Sequence, residues 1–378
     1  MRISRQEIER RHRAIREAMA AEEADVLVVG GSARSDRRGA LRYVADSYVQ
    51  FFEECAVIPL DGPVGYFAHD SGRARCVEEL PAVEYADFMT RPGSCGKVAE
   101  YVKKFHPKRV AFYGVHTLSA EFHLSLAERL EDLRMIDFTE SLDGIRSVKS
   151  DEEIALSQHA VCLNEDVFRV YLKGIEEGSG ILDAIAEASS FAMKNGCEDQ
   201  YWLLGSQGAA PRSLPMAPKK DLLRTDEGGS HVIVLEHTSP GGYFGEVMHS
   251  VFLGEPPDEA VAAFQAISRA QMLAGGAMQP GATVGSIADL IDEFLIYEGF
   301  LRKEDAGKAS GHGQGLDIAE PPVVISGDPA VIQPGMRLNL HPSITLSTGI
   351  HVVSTDCYVI EKNGSRRLSA LPYTPLVL

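Results

Sequence analysis

The residues most open to chemistry are a histidine held between glycines, Gly311-His312-Gly313-Gln314-Gly315, and two glutamates ten positions apart, Glu236 and Glu246. A free imidazole titrates near pH 6.5, so His312 can give or take a proton at neutral pH without a metal. Taken alone, a histidine in a glycine-rich loop is commonly structural, and a glutamate on a hairpin commonly faces solvent. The glycines do not form a phosphate loop, because the strand–GxxxxGK–helix context is missing. Six cysteines, Cys55, Cys76, Cys95, Cys162, Cys197 and Cys357, are scattered without a CxxC or other paired spacing. That usage reads as reduced thiols and not as a disulfide frame or a zinc knuckle. Cys357 has no activating partner in the sequence and reads as a core thiol.

The elements that position such residues are legible in outline. A chain of 378 residues, 44% hydrophobic and 24% charged, is long enough for two unequal globular domains. Lys plus Arg number 37 against 54 Asp plus Glu, a formal net charge of −17, which makes nucleic acid a poor partner. The apolar runs are strand-sized, and the opening MRISRQEIERRHR leads into no apolar segment, so neither a membrane span nor a secretory signal is expected. The reading is therefore cytoplasmic.

Over 1–145, periodicity predicts an amphipathic helix at 5–21, strands at 25–29, 41–44, 55–60, 64–67 and 109–113, and helices at 97–105 and 119–130. This is an α/β domain with a mixed sheet. The pattern breaks around 141–148. From 146 to 378 a second domain follows. It opens on a helix at 151–170 with Ser150 and Glu153 as its capping box. Further helices are predicted at 180–195, 258–275 and 284–299, with strands at 231–235, 247–253, 336–340 and 351–360, an α+β pattern.

Four ordered segments carry a resemblance. Ile145-Arg146-Ser147-Val148-Lys149-Ser150-Asp151-Glu152-Glu153-Ile154 resembles the entry to the C-terminal domain of the creatinase, aminopeptidase P and prolidase superfamily. Ser230 to Glu236, followed by Gly242-Tyr243 and Gly254-Glu255-Pro256, resembles its first metal-ligand hairpin. Gly311 to Asp317 resembles its GHGIGLD loop, and Ile332-Gln333-Pro334-Gly335-Met336 its L-x-P-G-M turn. Leu41-Arg42-Tyr43-Val44 resembles an N-terminal segment of the same proteins. The resemblance implies an α/β N-terminal domain followed by an α+β, pita-bread C-terminal catalytic-type domain. It also implies a homodimer with each N-terminal domain near the partner's site.

The dinuclear peptidases of that superfamily hold two divalent ions with two aspartates, a histidine and two glutamates. Carried over position by position, the aspartates become Glu236 and Glu246, and the histidine is His312. One glutamate becomes His341 in His341-Pro342, and the other becomes Thr355 beside Asp356. Two further histidines of the family match Met216 and Ala319. Removing two of four carboxylates takes away the charge that holds two dications close together. The creatinase pattern departs as well, since its base falls near Arg212 or Met216 and its guanidinium-binding glutamates at Met248 and His341.

The expectation is a hydrolase of the creatinase-like branch that cleaves a C–N bond of a small molecule without a cofactor. His312 or His341 is its base, and Glu236 and Glu246 grip the nitrogen end. Arg212, Met216, Tyr243, Thr355 and His351 are the substrate-side residues, His351 and Thr355 sharing parity on one strand. The alternative is a single zinc, manganese or iron ion held by Glu236, Glu246, His312 and His341, in an Xaa-Pro peptidase-like hydrolase or a lyase. The other alternative is an inactive pseudo-peptidase that keeps the pocket for binding.

Overall fold

The computed structural model describes residues 3–32, 38–49, 51–89, 95–114, 119–206, 211–214 and 229–378. They form two compact units, Met1–Arg146 and Ser147–Leu378. No helix among the described residues is long and apolar enough to cross a membrane.

The first unit runs α1 (Arg5–Ala21), β1 (Val26–Ser32), α2 (Gly39–Ala45), β2 (Glu53–Pro59), β3 (Gly65–Ala68), α3 (Ser71–Val77), β4 (Tyr85–Phe88), α4 (Gly96–Lys103), β5 (Arg109–Tyr113), α5 (Ala120–Arg129), β6 (Arg134–Asp137) and α6 (Thr139–Ser147). Its six strands make one mixed sheet in the order β4-β3-β2-β1-β5-β6. The Ser4 hydroxyl caps α1 by accepting from the Glu7 amide, and Ile8, Ile15 and Met19 bury one face of that helix.

Two readings of this unit are corrected. The segment 41–44 is helical, not a strand, because four residues, Leu41-Arg42-Tyr43-Val44, are too few to show a period that separates the two. It lies against β1, where Gly31 admits it: a Cβ there would stand 2.9 Å from Leu41 Cβ. The apparent break over 141–148 is mostly the helix α6. The short elements α3, β4 and β6 left too little periodicity to be predicted.

The second unit begins with α7 (Asp151–Glu176), whose capping box between Ser150 and Glu153 is present. There follow α8 (Ile181–Lys194), β7 (Gln200–Ser206), β8 (Arg212–Ser213), β9 (Gly229–Thr238), β10 (Phe244–Leu253), α9 (Asp258–Ala277), α10 (Val284–Tyr297), β11 (Gly311–Gly313), β12 (Glu320–Val324), β13 (Arg337–Leu340), β14 (Ser343–Thr345), β15 (His351–Val353), β16 (Asp356–Glu361), β17 (Gly364–Arg367) and β18 (Leu376–Val377). Two five-stranded sheets result, β18-β10-β9-β7-β8 and β12-β11-β13-β16-β17, with β14 and β15 as a separate ribbon.

One apolar core joins α7 and α8 to the first sheet, through Val167, Phe168, Ile233, Leu235 and Val247 among others. A second core joins α9 and α10 to the other sheet, through Phe264, Ile267, Ile291, Leu338 and Leu340 among others. Helix α7 approaches β10 so closely that a Cβ on Gly245 would lie 2.3 Å from the Ala160 carbonyl oxygen. Glycine is required there by space.

The predicted strand 351–360 is broken at Ser354 and Thr355. Ser354 bridges His249, and the Thr355 amide donates to the Met248 carbonyl at 2.8 Å. This stitch leaves the chain's own sheet for two residues and ties the second sheet to β10. It carries Thr355 to the site.

Candidate active site

Glu246 is the hub. It sits on β10, 2% exposed, directly opposite Glu236 of β9 in the antiparallel register. Its Oε1 accepts from the Thr355 hydroxyl at 3.0 Å. Its Oε2 accepts from Asn339 Nδ2 at 3.0 Å and from Gln314 Nε2 at 3.4 Å. Burial pushes this carboxyl's pKa up. The nearby imidazoles of His341 and His312, with the Asn339 and Thr355 hydrogen bonds, outweigh that and hold it below the ordinary carboxylate value. The ionised form is the stable one.

Two histidines face it. His312, the middle residue of β11, donates from Nδ1 to the Gly313 carbonyl at 2.8 Å, and its Nε2 lies 3.6 Å from Glu246 Oε2. With Nδ1 spent on a carbonyl, a neutral His312 presents a lone pair at Nε2. His341 follows β13, its amide fixed to the Ser310 carbonyl at 2.8 Å. The two rings stand 5.1 Å apart, tilted by 58°. Burial lowers the His341 pKa, an effect that the Glu246 charge opposes.

One donor atom each from Glu246, His312 and His341 lies within 4.8 Å of the other two. Ligands at about 2.0–2.2 Å from one ion stand at most about 4.4 Å apart, so this set is close to the spacing of a mononuclear site. Two imidazoles and a carboxylate suit zinc or ferrous iron. Thr355, which stands where the resemblance places a second glutamate, offers only a hydroxyl, and that hydroxyl donates to Glu246. Asn339 Oδ1 is also buried beside this group without a hydrogen-bond partner.

Glu236 faces Glu246 across the hairpin but is not one of the three clustered donors. No described residue hydrogen-bonds its carboxyl. Burial, and then the charge on Glu246, push its pKa up to about 8, so it carries its proton at neutral pH. On the same face of the sheet, Tyr201 continues the row of Glu236 and Glu246. The next row is Leu203, Val234 and Met248, packed with Val353 into a small apolar cluster.

The structure thus brings Glu236, Glu246, His312, His341 and Thr355 together and leaves other predicted residues elsewhere. Tyr243 is buried, and its hydroxyl donates to Glu153 at 2.6 Å in the first turn of α7. His351 pairs through Nδ1 with the Thr345 hydroxyl at 2.9 Å. Arg212 is exposed on the edge strand β8. Met216 lies outside the described residues.

Asn339 and Gln314 touch Glu246 and were not singled out from sequence. The signal for Asn339 was its parity with His341 across Leu340, an alternation that puts both on one side of the chain. Three other buried histidines of the second unit are held by aromatic neighbours. His231 bonds Tyr171, His237 meets Trp202 edge to face, and His249 lies between Phe168 and Phe264.

This arrangement of a first unit followed by a two-sheet unit is shared by solved peptidase structures. The profile of metallopeptidase family M24 matches residues 156–362, and the chain belongs to that family. It is 25% identical over 280 residues to the uncharacterized peptidase YqhT of Bacillus subtilis, covering 74% of this chain and 78% of that one. It is 25% identical over 325 residues to the Xaa-Pro dipeptidase of Pyrococcus furiosus, with 82% and 88% covered. The X-Pro aminopeptidase structure from Thermotoga maritima superposes with a TM-score of 0.81 at 18% identity, covering 97% of this chain and 99% of that one. The fold is the pita-bread fold, as the resemblance implied.

Proposed function

We propose that this chain is a hydrolase that cleaves a C–N bond of a small molecule at a single centre built from Glu246, His312 and His341, and that these three residues hold one divalent ion. The observation that carries the reading is the convergence of a Glu246 carboxylate oxygen with one imidazole nitrogen each of His312 and His341, all within 4.8 Å of one another. The names of relatives, Xaa-Pro dipeptidases among them, support the same bond type. A bound ion would supply Lewis acidity toward an oxygen, that of the scissile carbonyl or of the attacking water.

The chain's own residues do the rest. Asn339, Thr355 and Gln314 fix the Glu246 carboxylate, so its orientation is set before substrate arrives. Glu236 holds a proton at its carboxyl and can deliver it to the departing nitrogen, which is the role of a general acid. The row of Leu203, Val234 and Met248 beside it accepts an uncharged group next to the scissile bond. Met248 offers no carboxylate for a guanidinium.

The metal-free version has its own support. With Nδ1 bound to Gly313, His312 Nε2 is free to accept a proton from water. Elemental analysis after zinc, manganese and iron soaks and desalting separates the two. About one ion per chain is expected. No retained ion, together with turnover of a small amide abolished by His312→Ala, assigns the base to His312 instead. No turnover of small amides, amidines or Xaa-Pro dipeptides in either state overturns the hydrolase reading and leaves a binding protein.

A further inference from the structure

Arg337 is an anomaly. Its side chain is 1% exposed, yet no carboxylate lies within ion-pair distance of it among the described residues. Its Nη1 donates to the Phe244 carbonyl at 2.6 Å and its Nη2 to Gln314 Oε1 at 2.5 Å, while Nε has no acceptor. A buried guanidinium normally keeps an anion beside it, because desolvating an unpaired charge is strongly unfavourable.

The two bonds it does make lead to the same place. Phe244 lies two residues before Glu246 on β10. Gln314, itself fully buried, has only one way to orient its amide. Since Oε1 accepts from the guanidinium, Nε2 must face away, where it donates to the Ile318 carbonyl at 3.0 Å and to Glu246 Oε2 at 3.4 Å. A cation, a neutral amide and a carboxylate are thereby strung in series through the interior. Reversing the amide would set two oxygens against each other at Glu246 and two groups of N–H donors against each other at Arg337. Asn339, two residues along β13 from Arg337, donates to the same Oε2.

We propose that Arg337 and Gln314 are positioning residues of the site: the guanidinium sets the Gln314 amide, and that amide with Asn339 locks the Glu246 carboxylate toward His312 and His341. The consequence for the centre rests on the reading above. The positioning itself does not.

The test uses the full chain, stripped of metal, with Gln314→Glu and Gln314→Met. Glutamate at 314 gives Arg337 an ion pair but takes the amide donor from Glu246 and sets a like charge against it. Methionine removes both contacts. Titration with cobalt(II), followed by its visible absorption and by calorimetry, should show about tenfold weaker binding in both variants. Only Gln314→Met should lower the melting temperature. A purely structural role predicts that cobalt affinity follows stability, so Gln314→Glu binding cobalt like the wild type overturns the proposal. If the wild type itself retains no cobalt, the single-ion reading fails and crystal structures decide the positioning. A Glu246 side chain turned from its wild-type rotamer in Gln314→Glu upholds it, and an unmoved one overturns it.

Discussion

Replacing Glu236 with glutamine tests the electrostatics of the site most directly. In the folded, metal-free protein this carboxyl is held neutral by burial and by the Glu246 charge, with a pKa pushed up to about 8 from an ordinary 4.5. A group whose folded pKa is raised stabilises the fold fully below its unfolded pKa. That contribution is lost as pH climbs from 4.5 through 8. At pH 7 the unfolded chain has released the proton and the folded chain still binds it. The penalty is then set by the roughly 2.5 units between 4.5 and 7. At about 1.4 kcal/mol per unit this comes to about 3.4 kcal/mol, and it does not depend on the exact folded value so long as that stays well above 7. Glutamine keeps the shape and never ionises. Urea denaturation of chelated protein should therefore show Glu236→Gln about as stable as the wild type near pH 4.5. It should be about 3 kcal/mol more stable at pH 7, with a plateau above pH 8, while proton delivery to the leaving group is lost. A stability difference that stays flat with pH, or falls as pH rises, refutes the neutral Glu236 and its role as an acid. A gain of stability on removing a working group is the ordinary trade-off at active sites.

The acid limb should be steered by the packed histidines. His249, whose pKa burial pushes down to about 4, stays neutral in the fold while the unfolded chain takes up its proton near pH 6.5. Stability therefore falls as pH drops from 6.5 toward 4, and at pH 5.5 this residue alone accounts for roughly 1.4 kcal/mol of the loss. His249→Phe should remove that much of the acid destabilisation in denaturant titrations at pH 7.5 and 5.5. An unchanged difference would show the ring titrating normally. The loop that carries His312 hangs on a buried ion pair: Lys149 Nζ meets Glu320 Oε2 at 3.0 Å, and Glu320 Oε1 accepts from the Leu316 and Asp317 amides. Lys149→Met should destabilise the chain by about 3–5 kcal/mol, since it strands a buried carboxylate. A loss under 1 kcal/mol by calorimetric melting would mean that water already reaches Glu320.

Amino-acid order alone determined the long elements and the residues with site chemistry. Helices α1, α7, α9 and α10 were legible because each repeats its apolar positions over several turns. His312, Glu236 and Glu246 were legible as reactive types in turns and strands that a family pattern frames. Segment 41–44 was not, since Leu41-Arg42-Tyr43-Val44 is too short for its pattern to separate a helix from a strand, and the helix packs over Gly31 of β1. Nor was the break at Ser354 and Thr355, which exists because β10 of the other sheet claims the Met248–Thr355 hydrogen bond. Tertiary structure also decided which of the candidate residues meet. Tyr243 and His351 spend hydroxyl and imidazole on other partners, whereas Asn339 and Gln314 reach Glu246 from segments distant from it in the chain, with Arg337 behind Gln314. The two glutamates share a residue type and a hairpin, yet one is ionised and the other neutral. That division arises from what stands beside each carboxyl: two imidazoles and amide donors at Glu246, and at Glu236 a buried like charge and no donor among the described residues. Protonation is a property of the surroundings, and the surroundings form only when both sheets close on β10.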